Sequence, residues 1–175
     1  QSLDAAQCRA LEPALSPITP LVGGLYLPGD EAGNCPLFAQ QLRRVCEQQG
    51  VRFRFNQTVR RVAVEGGRAR GVVTDAGLQA ADAVIVAAAT DSGPLLVPLG
   101  LKLPLYPVKG YSATVSLLPD GQGPSRALMD EAYKTAITPF GARLRIAGTA
   151  ELGDTGMQLR QAALRTLIKV ASDWL

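Results

Sequence analysis

The chain has 175 residues, 47% of them hydrophobic, with 18 Lys and Arg against 15 Asp and Glu, and it has no histidine. This is ordinary globular composition, enough for one core or two small ones, and a net charge of +3 is mild. The missing imidazole removes the usual general base, the usual metal ligand and every Ser-His or Cys-His nucleophile pair.

Residues 1–33 are rich in Pro and Gly, with turn signals at Pro17, Pro20, Gly23-Gly24 and Pro28-Gly29-Asp30, so they read as mostly irregular with a short strand near 25–27. A helix follows, capped by Asn34 or Cys35, with Pro36 in its first turn and Phe38, Leu42 and Val45 as its apolar stripe. Gly50 ends it. Val51, Phe53 and Phe55 alternate with Arg52 and Arg54, the pattern of a half-buried strand.

A meander comes next: strand 58–65, a turn at Gly66-Gly67, strand 68–75, a turn at Ala76-Gly77 and a short strand before Asp82. Gly66-Gly67-Arg68-Ala69-Arg70-Gly71 has the wrong spacing for a phosphate loop and joins two strands. Residues 83–89 are apolar on both faces and suit a buried parallel strand.

Pro94, Pro98 and Pro104 mark a crossing into a second unit with strands at 106–118, 126–130, 133–138 and 143–149 and turns at Asp120-Gly121 and Phe140-Gly141. The chain closes with a helix. Thr155 and Gln158 look like its capping box, and Leu164, Leu167, Ile168, Ala171 and Trp174 form its stripe. The expected class is mixed α/β: part of a nucleotide-binding domain over 1–99, then an antiparallel sheet with its helix over 100–175.

Several function classes are weak here. Cys8, Cys35 and Cys46 are odd in number and lack C-x-x-C spacing, so neither a zinc site nor a disulfide framework is expected, and the metal set is empty. Between Arg43 and Arg70 there are eight arginines against Glu47 and Glu65. With no aromatic platform beside them, they read as strand faces and not as a nucleic-acid stripe. No apolar run approaches the roughly 20 residues that span a bilayer, and no signal peptide is visible. Asp30 and Glu31 are adjacent on an extended stretch, point opposite ways and do not form a carboxylate pair.

Four segments carry a resemblance: Leu27-Pro28-Gly29-Asp30-Glu31-Ala32-Gly33-Asn34-Cys35, Tyr106-Pro107-Val108-Lys109-Gly110-Tyr111-Ser112, the stretch from Asp130 to Thr138, and Arg145-Ile146-Ala147-Gly148-Thr149-Ala150-Glu151. In this order they resemble bacterial FAD-dependent D-amino acid dehydrogenases of the small-subunit type, within the D-amino acid, glycine and sarcosine oxidase superfamily. The resemblance implies a flavoprotein that takes a hydride from the α-carbon of a D-amino acid. The imino acid then hydrolyses to a 2-oxo acid and ammonia, and electrons pass to a respiratory acceptor. It also implies a cytoplasmic location, peripheral on the inner membrane if attached at all. Glycine, sarcosine or D-hydroxyproline oxidation is a related alternative. A non-catalytic remnant serving as an interaction module is a third.

By the same resemblance, Val59 meets the adenine of FAD, and Ala88, Ala89 and Ser92 lie where the stretch A-x-G-x-W/Y-S runs near the cofactor. Ala89 replaces the usual glycine and Asp91 the usual aromatic. A β-carbon hinders close approach there, and a carboxylate repels phosphates. Lys109 and Gly110 match a motif at the flavin-facing end of the second sheet, and Gly148 is a point of backbone approach to the ring system. Tyr111 and Tyr133 are candidates for the substrate wall. No catalytic side chain is assigned.

No G-x-G-x-x-G follows a strand, and no R-P-x-x-P-D stretch, the family's carboxylate anchor, follows Trp174. Without an initiator Met, the chain reads as an internal piece, inactive and flavin-free by itself. An exposed apolar patch around 83–89 is then expected, and with it self-association.

Overall fold

The apolar–polar alternation after residue 106 becomes a four-stranded antiparallel sheet in the computed structural model, which describes residues 1–117, 123–153 and 156–175. Two compact units are present, residues 1–39 with 108–175 and residues 40–107. This division differs from a boundary at 99/100. The buried carboxylate of Glu12 is the physical reason: its Oε2 accepts from Ser125 N, Ser125 Oγ and Arg126 N at 2.8–3.0 Å. Ser16 N donates to Trp174 O at 2.8 Å, and Thr19 Oγ1 donates to Asp173 O. These bonds tie the N-terminal segment to the last sheet and its helix.

In the first unit, β1 (Ser2–Asp4) pairs antiparallel with β2 (Gly23–Leu25), and α1 (Ala5–Leu11) lies between them in sequence. The expected strand at 25–27 is thus displaced by two residues, and the helix was not expected. Its signal is present: Asp4 and Gln7 form a capping box, with Gln7 N donating to Asp4 Oδ1 at 2.8 Å and Asp4 N to Gln7 Oε1 at 2.9 Å.

The main sheet contains β6 (Val108–Ser116), β7 (Leu128–Asp130), β8 (Thr135–Phe140) and β9 (Arg143–Leu152), in the spatial order β6-β9-β8-β7. The turn at Asp120-Gly121 lies outside the described residues. Helix α4 (Gln161–Trp174) packs on one face, burying Ala163, Leu167 and Val170 against Tyr111, Ile137, Leu144 and Ile146. Its N-cap is Arg160; Thr155 of the expected capping box lies outside the described residues. The expected stripe holds at Leu164, Leu167, Ala171 and Trp174, but Ile168 is 61% exposed and Ala163 and Val170 are buried in its stead. Trp174 Nε1 donates to Asp130 Oδ2 at 2.7 Å and fastens the helix end to β7.

The helix α2 (Cys35–Gln48) leads from the first unit into the second. Asn34 Oδ1 accepts from Leu37 N at 3.2 Å, and Gly50, at φ +90°, closes the helix. No residue of α2 is buried; Phe38 is 66% exposed. In the second unit the meander is as expected: β3 (Val59–Glu65), β4 (Arg68–Thr74) and β5 (Gly77–Ala80) pair antiparallel in that order. Gly66 and Gly67 make the first turn with φ of +56° and +75°, values an L side chain resists. The short helix α3 (Ser92–Leu96) lies against β3.

Two expected strands do not form ladders. Residues 51–55 and 83–88 join no sheet among the described residues, and Ala89 already begins a short helical turn. A strand requires a neighbouring strand for its N–H and C=O groups, and among the described residues neither segment is paired with one. Their apolar side chains are accordingly open: Ile85 is 92% exposed, and Phe53 and Phe55 stack on each other with centroids 5.9 Å apart.

The phase of α4 is open to a direct check. Leu167→Ala should cost about 2–5 kcal/mol in denaturant unfolding, as expected for a fully buried leucine. Ile168→Ala should stay within about 0.5 kcal/mol. Equal losses would contradict the observed helix face.

Candidate active-site face of the sheet

Side chains along a strand alternate between faces, so the covered face of the main sheet determines which residues α4 occupies. Cross-strand partners share a face, which places Ala113, Ile146, Ile137 and Leu128 under the helix. Ser112, Ala147, Ala136 and Met129 lie on the opposite face, as do Thr114, Arg145 and Thr138. The helix α4 packs on the first of these faces and not on the second. A bulge between Gly110/Tyr111 and Gly148/Ala150 leaves Thr149 as the extra residue, at φ +56°. Beyond the bulge, Gly110 and Ala150 remain on the open face, while Lys109 and Glu151 are on the helix face.

Tyr111, a candidate for the substrate wall, is therefore turned away from the open face. It is 4% exposed, its hydroxyl donates to Glu151 Oε2 at 2.6 Å, and it accepts from Arg160 N at 3.3 Å. Lys109 Nζ lies 3.3 Å from the same carboxylate oxygen and donates to Gly156 O and Gln158 O at 3.0 and 3.3 Å. Glu151 Oε1 faces Arg160 Nε at 2.5 Å as an ion pair without hydrogen-bond alignment. Sequence reasoning did not single out Glu151. It holds the start of α4 to the sheet edge through three partners, with its side chain only 11% exposed.

Tyr133 is not on a strand. It sits in the turn between β7 and β8, with its N–H donating to Asp130 Oδ1 at 2.6 Å. Lys169 Nζ lies over its ring, 5.5 Å from the centroid. A hydrogen bond to Asp173 is the main cause holding that ammonium above its usual pKa. Gly148 also meets protein rather than an open approach. A β-carbon there would lie 2.6 Å from Thr135 Oγ1 and 3.0 Å from Lys134 O, so its glycine is required by β8. Gly110 differs, with nothing within 4 Å of the space a side chain would take.

In the second unit, Ala88, Ala89 and Ser92 are brought together. Ala88 N donates to the buried Ser92 Oγ at 3.1 Å across the turn that starts α3. Ala89 occupies the left-handed region at φ +47°, a conformation that favours glycine. The backbone thus has the shape of the usual glycine although the residue is alanine. Val59 opens β3 opposite Thr74 and is 38% exposed. Among the described residues no group of Cys, Asp and Glu could hold a metal ion. No helix among them is long and apolar enough to cross a membrane.

Comparison with known proteins agrees with this architecture. The family described as DAO, FAD dependent oxidoreductase, matches residues 1–175, and the chain belongs to it. Within it, the chain is homologous to D-amino acid dehydrogenases. It is 47% identical over 172 residues to that of Vibrio cholerae serotype O1 (strain M66-2), covering 98% of this chain and 41% of the relative. It is 46% identical over 172 residues to that of Cereibacter sphaeroides (strain ATCC 17029 / ATH 2.4.9), covering 98% of this chain and 39% of the relative. The chain thus spans about two fifths of the length of these curated relatives. Among solved structures, glycine oxidase from Bacillus cereus ATCC 14579 matches with a TM-score of 0.87 at 23% identity, covering all of this chain and 47% of that one. L-proline dehydrogenase from P. horikoshii matches at 0.81 and 16% identity, over 99% of this chain and 47% of that one. These likenesses establish the fold.

Ala89 gives a measurable consequence. Replacing it with glycine relieves the left-handed strain and should raise stability by about 1 kcal/mol in urea unfolding. A loss of similar size would show that the turn does not hold this conformation.

Proposed function

We propose that this chain forms the substrate-facing sheet and part of the cofactor domain of an FAD-dependent D-amino acid dehydrogenase. The observation that carries the reading is the 47% identity to such an enzyme across 98% of the chain. In this reading residues 40–107 belong to the flavin-binding side, and the sheet of residues 108–152 forms the wall against which substrate rests.

The chain's own residues fit FAD in part. Gly110, Ala147, Ala150 and Ala136 line the open face with small side chains, over which a flat ring can lie without displacing protein. Val59 and the turn at Ala88, Ala89 and Ser92 are proposed to meet the rest of the cofactor. Asp91 adjoins this turn, and the sequence has no G-x-G-x-x-G loop, so the pyrophosphate is not gripped by these residues. FAD, when bound, supplies the acceptor for the α-carbon hydride. The sheet holds the amino acid flat and excludes water from one side of it.

Lys109 and Tyr111 are assigned a supporting role: they anchor β6 to α4 through Glu151, which keeps Gly110 in place at the sheet end. Tyr133 is assigned to packing beneath Lys169. The relatives are dehydrogenases, which favours a respiratory carrier as electron acceptor, with peripheral membrane association and a cytoplasmic setting as the simplest arrangement. The exposed side chains of Ile85, Phe53 and Phe55 favour self-association of the chain by itself.

Two measurements test this reading. The flavin-loaded enzyme containing this chain should lose its visible flavin bands when mixed anaerobically with D-alanine, and keep them with L-alanine. Bleaching by glycine or sarcosine alone would favour the related amine oxidases, and a protein that takes up no flavin would favour the remnant. Light scattering of the chain alone should show mass rising with concentration. A clean monomer at high concentration contradicts self-association.

A further inference from the structure

Thr149 decides which face of the main sheet receives Glu151. Before it, Leu144, Ile146 and Gly148 pair with Val115, Ala113 and Tyr111 on the face under α4. Strict alternation beyond Gly148 would put Ala150 under the helix and Glu151 on the open face. The extra residue reverses this. Ala150 pairs with Gly110 on the open face, and Glu151 pairs with Lys109 on the helix face. Thr149 itself is at φ +56°, a conformation that a β-branched residue adopts only under constraint.

Both flanks of Thr149 supply that constraint. On one side Gly148 lies so close to β8 that a β-carbon would meet Thr135 Oγ1 at 2.6 Å. On the other, Glu151 Oε2 accepts from the Tyr111 hydroxyl at 2.6 Å and lies 3.3 Å from Lys109 Nζ, while Oε1 lies 2.5 Å from Arg160 Nε. Tyr111 and Lys109 stand on β6 to either side of Gly110. The carboxylate thus grips both neighbours of a residue whose own side-chain space is open to 4 Å. Losing the bulge would strip Glu151 of these partners and turn its charge onto the face of Gly110.

We infer that Glu151 is a positioning residue: by holding the bulge at Thr149 it keeps the backbone of Gly110 and Ala150 level on the open face, where the flavin ring is proposed to lie. It touches neither substrate nor ring. The ring's place rests on the dehydrogenase reading, but the hold on the bulge does not.

The test follows FAD binding to the enzyme containing this chain after flavin removal, by quenching of flavin fluorescence, together with urea unfolding and D-alanine turnover. Glu151→Ala should raise the FAD Kd about tenfold, the order expected for losing a charge-assisted hydrogen bond. Leu167→Ala loosens α4 away from the bulge, and should leave the Kd within about twofold although the protein unfolds more readily. Thr149→Gly removes the strain that the carboxylate holds in check. Alone it should leave the Kd within about twofold, and added to Glu151→Ala it should recover most of the loss. If Glu151→Ala fails to fold, Glu151→Gln decides, with about a threefold rise that Thr149→Gly again recovers. A rise that Leu167→Ala matches, or that the glycine does not recover, assigns Glu151 to stability alone and overturns the inference. An unchanged Kd with D-alanine turnover intact overturns it too, and keeps the dehydrogenase reading. The expected shifts in a protein that oxidises no D-amino acid keep the inference and overturn the dehydrogenase reading instead.

Discussion

The packing of α4 on one face of the four-stranded sheet decides nearly everything else about this chain. A sheet has two faces, and side chains cannot choose between them once the strand phase is set. Leu167 and Val170, both fully buried, occupy the face that also holds Ile137, Leu144 and Ile146. Burial of each such side chain contributes about 1.5–3 kcal/mol, so reversing the phase of any strand would be severely destabilising. The face left over carries Gly110, Ser112, Ala136, Arg145 and Ala147 and is not the one α4 covers.

Glu151 fixes the helix at one end of this arrangement and Trp174 at the other. The carboxylate gathers Lys109, Tyr111 and Arg160, the first two of which the resemblance makes candidates for ligand contact. The surface ion pairs elsewhere, such as Arg60 with Asp75 at 2.7 Å, are exposed and contribute little to stability. The Arg60 guanidinium is nonetheless raised above its usual pKa, chiefly by the hydrogen bond to Asp75. Glu12 plays a comparable organising role for the N-terminal segment, because a buried carboxylate must collect donors, and those of Ala14, Ser125 and Arg126 reach it.

Much of this was legible from residues alone. Alternation located the strands of the three- and four-stranded sheets, Gly66-Gly67 located a hairpin, and Asn34 with Gly50 bracketed α2. The orientation of Tyr111 was not legible, because the alternation of β6 does not say which of its faces α4 covers, and the bulge at Thr149 that sets the partners of Lys109 and Gly110 has no local signal. Alternation of Leu144 and Ile146 with Arg143, Arg145 and Ala147 did contain the face assignment. It becomes informative only once the register ties it to β6. Residues 51–55 and 83–89 have strand-like sequences yet form no ladder, which shows that pattern describes what a segment can bury and not whether a neighbour is there to bury it. Asp4-x-x-Gln7 was a readable cap that the surrounding prolines and glycines obscured.

The two-faced sheet is tested most directly by a crystal structure of the flavin-loaded enzyme containing this chain with benzoate bound. The expected result is a ligand on the face that α4 leaves uncovered, with the flavin ring nearest Gly110 and Ala147. A ligand seated against Tyr133 on the helix side, with the opposite face bare, would contradict it.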